Sequence, residues 1–180
     1  NQLLDHIDYE LIRENPKIII GYSDVTALTV AITTKTGLVT FSGPGGISFA
    51  KPDPFEYTWD SFRRMCIDPQ ENVTIEASSE YADDLYFLRD DSNHRIIKHN
   101  DGIKIFIDGE AEGEVVAGNL QTLLVLSGTE YLPDMTGKIL FIEEDETSTP
   151  SHVDRFICQC EQLGWFNKLA GLVFGRFTEQ

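Results

Sequence analysis

The 180-residue sequence has few basic residues, few cysteines and no long apolar run. Its 14 lysines and arginines stand against 30 aspartates and glutamates, which gives a net charge of −16. Because so acidic a surface repels phosphate backbones and anionic headgroups, we expect neither nucleic acid nor a membrane as a partner. No apolar stretch approaches the roughly 18 residues of a membrane-spanning helix. A small nucleotide-containing ligand is still possible, because it needs only a local pocket.

The cysteine count and spacing argue against a disulfide framework and against a metal site. The three cysteines are Cys66, Cys158 and Cys160. Residues i and i+2 of a helix point to different sides, so Cys158 and Cys160 are not expected to share a metal. Neither of the two glycine-rich phosphate-binding motifs occurs. We therefore predict no metal and no cofactor, and we expect a reducing cytoplasm as the compartment.

The pattern of predicted helices and strands changes along the chain, which predicts an α/β protein of two domains. Eleven phenylalanines, six tyrosines and two tryptophans argue against disorder, and 41% hydrophobic residues support a packed core. Residues 1–68 predict the end of a parallel-sheet α/β domain. Residues 69–180 predict a β-rich α+β domain, with the boundary near 68–72. Both domains are expected to be incomplete.

Hydrophobic periodicity and turn residues predict the individual elements. Uniformly apolar runs at 17–20 and 38–41 are typical of buried parallel strands, and a helix at 25–35 between them stops at Gly37. A further helix is predicted at 55–65. Antiparallel strands are predicted at 73–77, 85–88, 95–98, 103–107 and 114–116. Helices at 120–127 and 151–163 then alternate with strands at 138–142 and 170–174.

Ser23 is the strongest candidate for a catalytic residue. It lies in the run GYSDV at residues 21–25, between a predicted strand and a predicted helix. A serine on such a turn is lifted out of the sheet, near helix N–H groups that can stabilise an oxyanion. Gly21 permits the bend, but Val25 replaces the second glycine of the usual G-x-S-x-G pattern. On this pattern alone, Ser23 or Asp24 could instead serve only as a helix cap.

Glu143 is the second candidate, at the carboxyl end of the predicted strand 138–142. Ligand sites of α/β sheets lie at such ends. A carboxylate there can orient a histidine and stabilise its imidazolium. The alternative is a solvated acidic loop, because Glu143 opens the run EEDE in a chain with 30 acidic residues.

A serine and a carboxylate still need a general base between them, and no histidine has a convincing context for that role. All four are interpreted as surface residues: His6, His94, His99 and His152.

Two other features could contact a ligand. Three aromatic residues lie close together in a region of predicted strands: Tyr81, Tyr86 and Phe87. They could form a wall for a flat ligand, or they could simply pack between strands. Asn119 follows Gly118 and could cap the helix that begins after it.

Taken together, these motifs resemble the LD-carboxypeptidase family of serine peptidases. The resemblance covers nearly the whole chain, in order, and is strongest to the microcin C immunity proteins of that family. It rests on the runs IIGYSDVTAL (19–28), KTGL (35–38), GP (43–44), GNL (118–120), LFIEE (140–144) and GLVFG (171–175). Ala117 stands where the family more commonly has a glycine, in the motif Gly-Gly-Asn. Residues 81–87 fall in a stretch that the compact peptidoglycan enzymes lack.

The resemblance implies a Ser–Glu–His triad. Ser23 corresponds to the nucleophile, Glu143 to the carboxylate that orients the histidine, and the backbone N–H of Asp24 to one oxyanion donor. The implied substrate contacts are Tyr81, Tyr86, Phe87 and Asn119. The histidine of the family lies in a downstream Gly-His segment that these 180 residues do not reach. We therefore expect the 180 residues by themselves to be inactive or nearly so.

The function implied is that of a cytoplasmic serine hydrolase, and the resemblance to the family also implies a homodimer. The first substrate class is a microcin C-like peptidyl or aminoacyl nucleotide, whose cleavage would give self-immunity or detoxification. The alternative is the murein LD-tetrapeptide of cell-wall recycling. A second alternative is a degenerate relative that only binds a small molecule.

Overall fold

The computed structural model describes residues 1–50, 55–84 and 94–177. The chain divides into two compact units. Unit 1 comprises Asn1–Gly43 and Glu110–Gln180, and unit 2 comprises Pro44–Gly109. The predicted domain boundary near residue 68 is not a limit of either unit, and that division stays a prediction. The predicted strand at 85–88 lies outside the described residues.

The structure combines helices with short strands. The strands are β1 (Ile20–Gly21), β2 (Phe41–Ser42), β3 (Glu80–Tyr81), β4 (Lys98–His99), β5 (Val115–Asn119), β6 (Ile139–Glu143) and β7 (Gly171–Phe174). The α-helices are α1 (Tyr9–Glu14), α2 (Val25–Thr36), α3 (Glu56–Phe62), α4 (Leu120–Val125) and α5 (Pro150–Gln162). Single 3₁₀ turns form at Leu4–His6, Gly46–Phe49 and Trp165–Asn167, and a π-helical turn at Arg63–Ile67 continues α3.

The strand pairing confirms the α/β class. In unit 1, β1 pairs in parallel with β2, and β5, β6 and β7 form a parallel sheet in that order. In unit 2, β3 and β4 are antiparallel. The expectation of an antiparallel strand at 114–116 is wrong, because β5 pairs in parallel with β6. Helix α4 connects these two strands, and such a helical crossover returns the chain in the same direction.

One hydrophobic core holds unit 1 together. Most of its buried side chains come from three helices and two strands: Ala27, Val30 and Ala31 of α2, Leu120 and Leu123 of α4, Cys160 of α5, Val116 of β5, and Leu140 and Ile142 of β6. The others are Leu4, Leu126, Met135 and Trp165. Helix α2 ends as predicted at Gly37, whose φ of 74° is the left-handed conformation of a helix C-cap.

The apolar runs are buried on one side only, which corrects the expectation of fully buried strands. In β6, Leu140 and Ile142 are buried whereas Phe141, between them, is 40% exposed. Successive side chains of a strand point to opposite faces, and the core packs against only one of them. Ile18 and Val39 are also exposed, and they lie outside the two-residue strands β1 and β2.

Unit 2 contains fewer regular elements than its sequence predicts. The predicted helix at 55–65 is confirmed as α3 and its π-helical turn, and the segment at 95–98 contributes only to the two-residue β4. The strands predicted at 73–77 and 103–107 do not form, so both predictions are wrong. Ile75 and Ile105 are largely exposed in these segments. A strand needs a pairing partner and a packed face, and neither segment has both.

Candidate active site

Ser23 occupies a strained turn between β1 and α2. Its φ is 58°, the one positive value at a non-glycine residue among those described. The left-handed conformation costs such a residue about 1–3 kcal/mol and persists only where the surrounding structure holds it. Ser23 is half-buried, and its hydroxyl has no hydrogen-bond partner in the described part of the chain. This geometry is that of a serine presented at a strand-to-helix turn.

Neither Ser23 nor Asp24 caps α2 through a side-chain hydrogen bond. Asp24 occupies the N-cap position of α2, but its side chain makes no capping hydrogen bond. The backbone N–H of Asp24 likewise donates to no group within the described ranges. Free N–H groups at a helix start carry partial positive charge, so this one is available to a developing negative charge.

Gly21 explains how Val25 can stand where the usual motif has a second glycine. A Cβ atom placed on Gly21 would lie 2.5 Å from Cγ1 of Val25, which is closer than real contacts allow. The absence of a side chain at residue 21 therefore makes room for the valine. Gly21 is buried, and its carbonyl accepts a hydrogen bond from the N–H of Gly43 at 2.9 Å.

Glu143 ends β6 and is not a solvated acid. It pairs in register with Asn119 of β5, and its Oε1 atom is buried with no hydrogen-bond partner among the described residues. Burial raises the pKa of the Glu143 carboxyl, and the neighbouring charges of Glu144 and Asp145 raise it further. The Asn119 side chain opposes this shift. A buried acceptor without a donor is costly, so this oxygen is a place where a donor would be stabilising.

The next residue, Glu144, is buried at the centre of a hydrogen-bond network. Its Oε1 atom accepts from the N–H of Gln121 at 2.6 Å. Its Oε2 atom accepts from Nδ2 of Asn119 at 3.2 Å and from the hydroxyl of Ser148 at 2.8 Å. Asn119 in turn caps α4, because its Oδ1 atom accepts from the N–H of Thr122 at 3.0 Å. The predicted capping role of Asn119 is thus confirmed.

A direct contact joins this network to the turn that carries Ser23. The N–H of Asn119 donates to Oγ1 of Thr26 at 3.0 Å. A Cβ atom on Gly118 would lie 2.2 Å from Cγ2 of Thr26, so the backbone of β5 can approach α2 only with glycine there. Thr26 is three residues after Ser23. The end of β5, which is paired with the end of β6, therefore lies against the first turn of α2, and both candidate catalytic residues belong to unit 1.

The histidines are surface residues, as predicted, and one of them has a structural role. His152 is exposed and closes a capping box at the start of α5. Its N–H donates to Oγ1 of Thr149, and its Nδ1 atom accepts from the N–H of Thr149, both at 3.4 Å. The remaining three histidines, His6, His94 and His99, are also exposed.

The predicted aromatic contacts are only partly described. Tyr81 is half-buried in β3 of unit 2, with Nζ of Lys98 lying 5.8 Å from its ring centre. Tyr86 and Phe87 lie outside the described residues.

Two residues of the site, Glu144 and Thr26, are not among those predicted from the sequence. Glu144 was indistinguishable by composition from the other acids of the run at 143–146. The alternation of side chains along a strand would identify Glu144, because it follows the buried Leu140 and Ile142 at steps of two residues and lies on the same side. Thr26 offered no comparable signal.

Within the described ranges, no group of three or more histidine, cysteine, aspartate or glutamate side chains could hold a metal ion. None of the described helices is long and apolar enough to cross a bilayer.

Comparison with protein families gives two matches in chain order. Residues 1–43 match the LD-carboxypeptidase N-terminal domain, and residues 112–180 match the LD-carboxypeptidase C-terminal domain. Together the two matched segments cover more than half of the chain.

Curated relatives align over nearly the whole chain. Putative carboxypeptidase YocD of Bacillus subtilis is 44% identical, with 99% of this chain and 54% of the relative covered. The microcin C7 self-immunity protein MccF of Escherichia coli is 35% identical over 98% of this chain and 52% of its own. A probable murein peptide carboxypeptidase of Bacillus subtilis is 34% identical over 93% and 45%. The chain thus spans about half the length of the curated relatives it matches.

Solved structures show the same fold. An MccF-like protein from Bacillus anthracis superposes with a TM-score of 0.91 at 42% identity, covering 98% of this chain and 54% of that one. MccF in complex with glutamyl sulfamoyl guanosine superposes with a TM-score of 0.84 at 31% identity, covering 97% and 53%.

Proposed function

The chain belongs to the LD-carboxypeptidase family, and on that basis we propose that it carries the nucleophile of a serine-type carboxypeptidase. The observation that carries this proposal is the left-handed backbone of Ser23 at the turn between β1 and α2. Strain of this kind is tolerated where a side chain must be held in a reactive position. The unpartnered hydroxyl of Ser23 agrees with such a role.

In the proposed reaction, the Ser23 hydroxyl attacks the carbonyl carbon of an amide bond near a free carboxylate. A histidine takes the hydroxyl proton and later delivers it to the leaving amine. The free N–H of Asp24 supports a role as one donor to the oxyanion of the tetrahedral intermediate. Water then hydrolyses the acyl-enzyme and regenerates Ser23.

We propose that Glu143 orients this histidine and stabilises its imidazolium form. The buried, unpartnered Oε1 atom of Glu143 supports the role, because an imidazole N–H would supply the missing donor. None of the four histidines of these 180 residues is assigned as the base. The proposed base comes from sequence that they do not include.

The substrate proposed first is a peptidyl or aminoacyl nucleotide, cleaved in the cytoplasm as a means of self-immunity. Support comes from the likeness to MccF, which has been solved with glutamyl sulfamoyl guanosine bound. The proposed contacts are Asn119 and the aromatic residues Tyr81, Tyr86 and Phe87. The second candidate is a murein tetrapeptide, supported by the likeness to a probable murein peptide carboxypeptidase.

A side-by-side hydrolysis assay tests the proposal on the protein expressed from its complete gene. Glutamyl sulfamoyl guanosine and an LD-linked tetrapeptide are incubated separately with enzyme, and products are followed by chromatography. We expect cleavage of the nucleoside, and a loss of roughly 10³-fold or more in Ser23→Ala. Ser151→Ala, which removes an exposed serine at the start of α5, is the matched control and should leave the rate unchanged.

Other outcomes would redirect or reject the assignment. Cleavage of the tetrapeptide alone would favour the murein carboxypeptidase. Binding without cleavage of either compound would indicate a degenerate binding protein. Undiminished cleavage by Ser23→Ala would reject Ser23 as the nucleophile.

A further inference from the structure

Glu144 is a charged side chain at a position where packing alone would place an apolar one. It is 5% exposed and continues the core-facing side of β6 after Leu140 and Ile142. Burying a carboxylate costs free energy unless hydrogen bonds compensate, and replacing such a group with an apolar side chain is often neutral or stabilising. Its presence therefore suggests a task that a leucine could not perform.

The donors around Glu144 come from two parts of the chain, the turn from β5 into α4 and the loop before α5. The N–H of Gln121 belongs to the first turn of α4, Nδ2 of Asn119 to the end of β5, and the hydroxyl of Ser148 to the loop before α5. All three reach one carboxylate, which itself directly follows Glu143. Glu144 thus joins the elements that surround the proposed catalytic carboxylate.

The chemistry of a carboxylate decides the orientation of the Asn119 amide. An ionised carboxylate only accepts hydrogen bonds, so the group of Asn119 that faces Glu144 must be the NH₂ group. The other end of the amide accepts from the N–H and the hydroxyl of Thr122, both at 3.0 Å. The amide is therefore held at both ends, and the same side chain also lowers the pKa of Glu143 by hydrogen bonding to its carboxyl group.

From this arrangement we propose that Glu144 is the positioning residue that orients the Asn119 side chain in the active site. The inference rests on the proposed function, in which Asn119 contacts substrate. Glu144 itself touches no substrate and acts through Asn119. Preorganisation of this kind matters because a displacement of about 1 Å at a substrate contact can cost 10²-fold in rate.

Glu144→Gln is the informative variant. A glutamine of the same shape presents one NH₂ group, which faces either the N–H of Gln121 or the NH₂ of Asn119. In either case two donors oppose each other, and Asn119 is released or α4 loses its contact. We expect kcat/KM for the cleaved substrate to fall about 10-fold or more.

Asp145→Asn is the matched control, because it also removes one negative charge beside Glu143. Among the described residues, the Asp145 side chain bonds only within its own turn, accepting from the N–H of Thr147 at 2.8 Å and from the Thr147 hydroxyl at 2.6 Å. An asparagine keeps that acceptor. Since both Glu144 and Asp145 raise the pKa of Glu143, the control reproduces the change of charge without the change at Asn119. We expect its kcat/KM to stay within about twofold of wild type.

A double-mutant cycle with Asn119→Ala separates positioning from a general structural effect. If Glu144 acts through Asn119, adding Glu144→Gln to Asn119→Ala should change kcat/KM by no more than about twofold. Additive losses would overturn the proposal, as would equal effects of Glu144→Gln and Asp145→Asn. If Glu144→Gln does not fold, as judged by thermal unfolding, Ser148→Ala replaces it in the same cycle, because it removes one donor to Glu144. Additive losses of Ser148→Ala and Asn119→Ala would then overturn the proposal.

The two proposals fail in different ways. If Ser23→Ala retains activity, the proposed function is wrong. If Ser23→Ala is inactive and Glu144→Gln is fully active, only the positioning role of Glu144 is wrong.

Discussion

Units 1 and 2 differ in how much of their apolar surface they bury. Every core residue, from Leu4 to Trp165, belongs to unit 1. No described residue of unit 2 is buried. An aromatic group of unit 2, Phe49 with Trp59 and Phe62, has ring centres 5.0–6.0 Å apart and stays partly exposed.

The difference shows why the candidate catalytic residues lie in unit 1. The polar groups that shape the site are themselves buried there: Thr26, Asn119 and Glu144. Hydrogen bonds in such surroundings are stronger and hold one geometry, because water does not compete for them. In unit 2 an ion pair such as Arg63 with Asp60, at 3.7 Å and half-exposed, contributes at most about 1 kcal/mol.

The largest expected effect comes from opening the core of unit 1. Leu123 of α4 is 0% exposed, so Leu123→Ala should lower the free energy of unfolding by about 2–5 kcal/mol. Ile105 of unit 2 is 73% exposed, and Ile105→Ala should change it by no more than about 0.5 kcal/mol. Urea denaturation measures both. Equal losses in the two variants would contradict the contrast between the units.

A methyl group added at a close contact in unit 1 should lower the free energy of unfolding by less than the core substitution does, and the same change in unit 2 should have little effect. Gly118→Ala places a methyl group 2.2 Å from Thr26 at a φ of 155°, so β5 must move away from α2. We expect a loss of about 1–3 kcal/mol in the free energy of unfolding.

The control for this substitution is Gly46→Ala in unit 2. A Cβ atom there would meet nothing within 4 Å, so its stability should change little. The midpoints of thermal unfolding compare the two variants. A Gly118→Ala protein as stable as wild type would show that the contact between β5 and Thr26 is not close.

The smallest expected effect is a pH dependence of stability at Glu143. Its pKa in the folded protein is raised above the ordinary value of 4.5, mainly by burial and then by Glu144 and Asp145. The folded state therefore holds this proton more tightly than the unfolded state, and stability is lost as pH rises from 4.5 through the folded pKa. Glu143→Gln, which stays neutral, should match wild type at low pH and become more stable than it at neutral pH.

Glu76→Gln of unit 2 controls for the general benefit of removing one charge from an acidic protein. Glu76 is exposed, so its variant should follow wild type within about 0.5 kcal/mol across the same range. Urea titrations at several pH values provide the comparison. These measurements use the 180 residues, which do not include the proposed histidine. A Glu143→Gln variant that is less stable than wild type at neutral pH would contradict the raised pKa of Glu143.

Sequence alone predicted the parts of the molecule that local rules determine. Helix α2 was predicted because an apolar pattern ends at Gly37, and β6 because an apolar run ends in Glu143. The turn at Ser23 was predicted because a glycine precedes a serine between strand and helix. These features depend on residues that are close in sequence.

The features that were not predicted depend on distant partners. The alternating apolar residues at 103–107 are typical of a strand, but no strand forms there and Ile105 is exposed. The contact of Asn119 with Thr26 joins residues far apart in the chain, and neither residue signals the other. Glu144 was hidden in an acidic run, although its place on the core-facing side of β6 would have separated it.

Covalent labelling tests the central assignment most directly. The protein expressed from its complete gene is treated with a fluorophosphonate, and the modified residue is located by peptide mass spectrometry. We expect a single adduct on Ser23 that is absent from Ser23→Ala, because only an activated serine hydroxyl displaces fluoride at an appreciable rate. An adduct that persists in Ser23→Ala, or an unlabelled protein that still hydrolyses its substrate, would contradict the assignment.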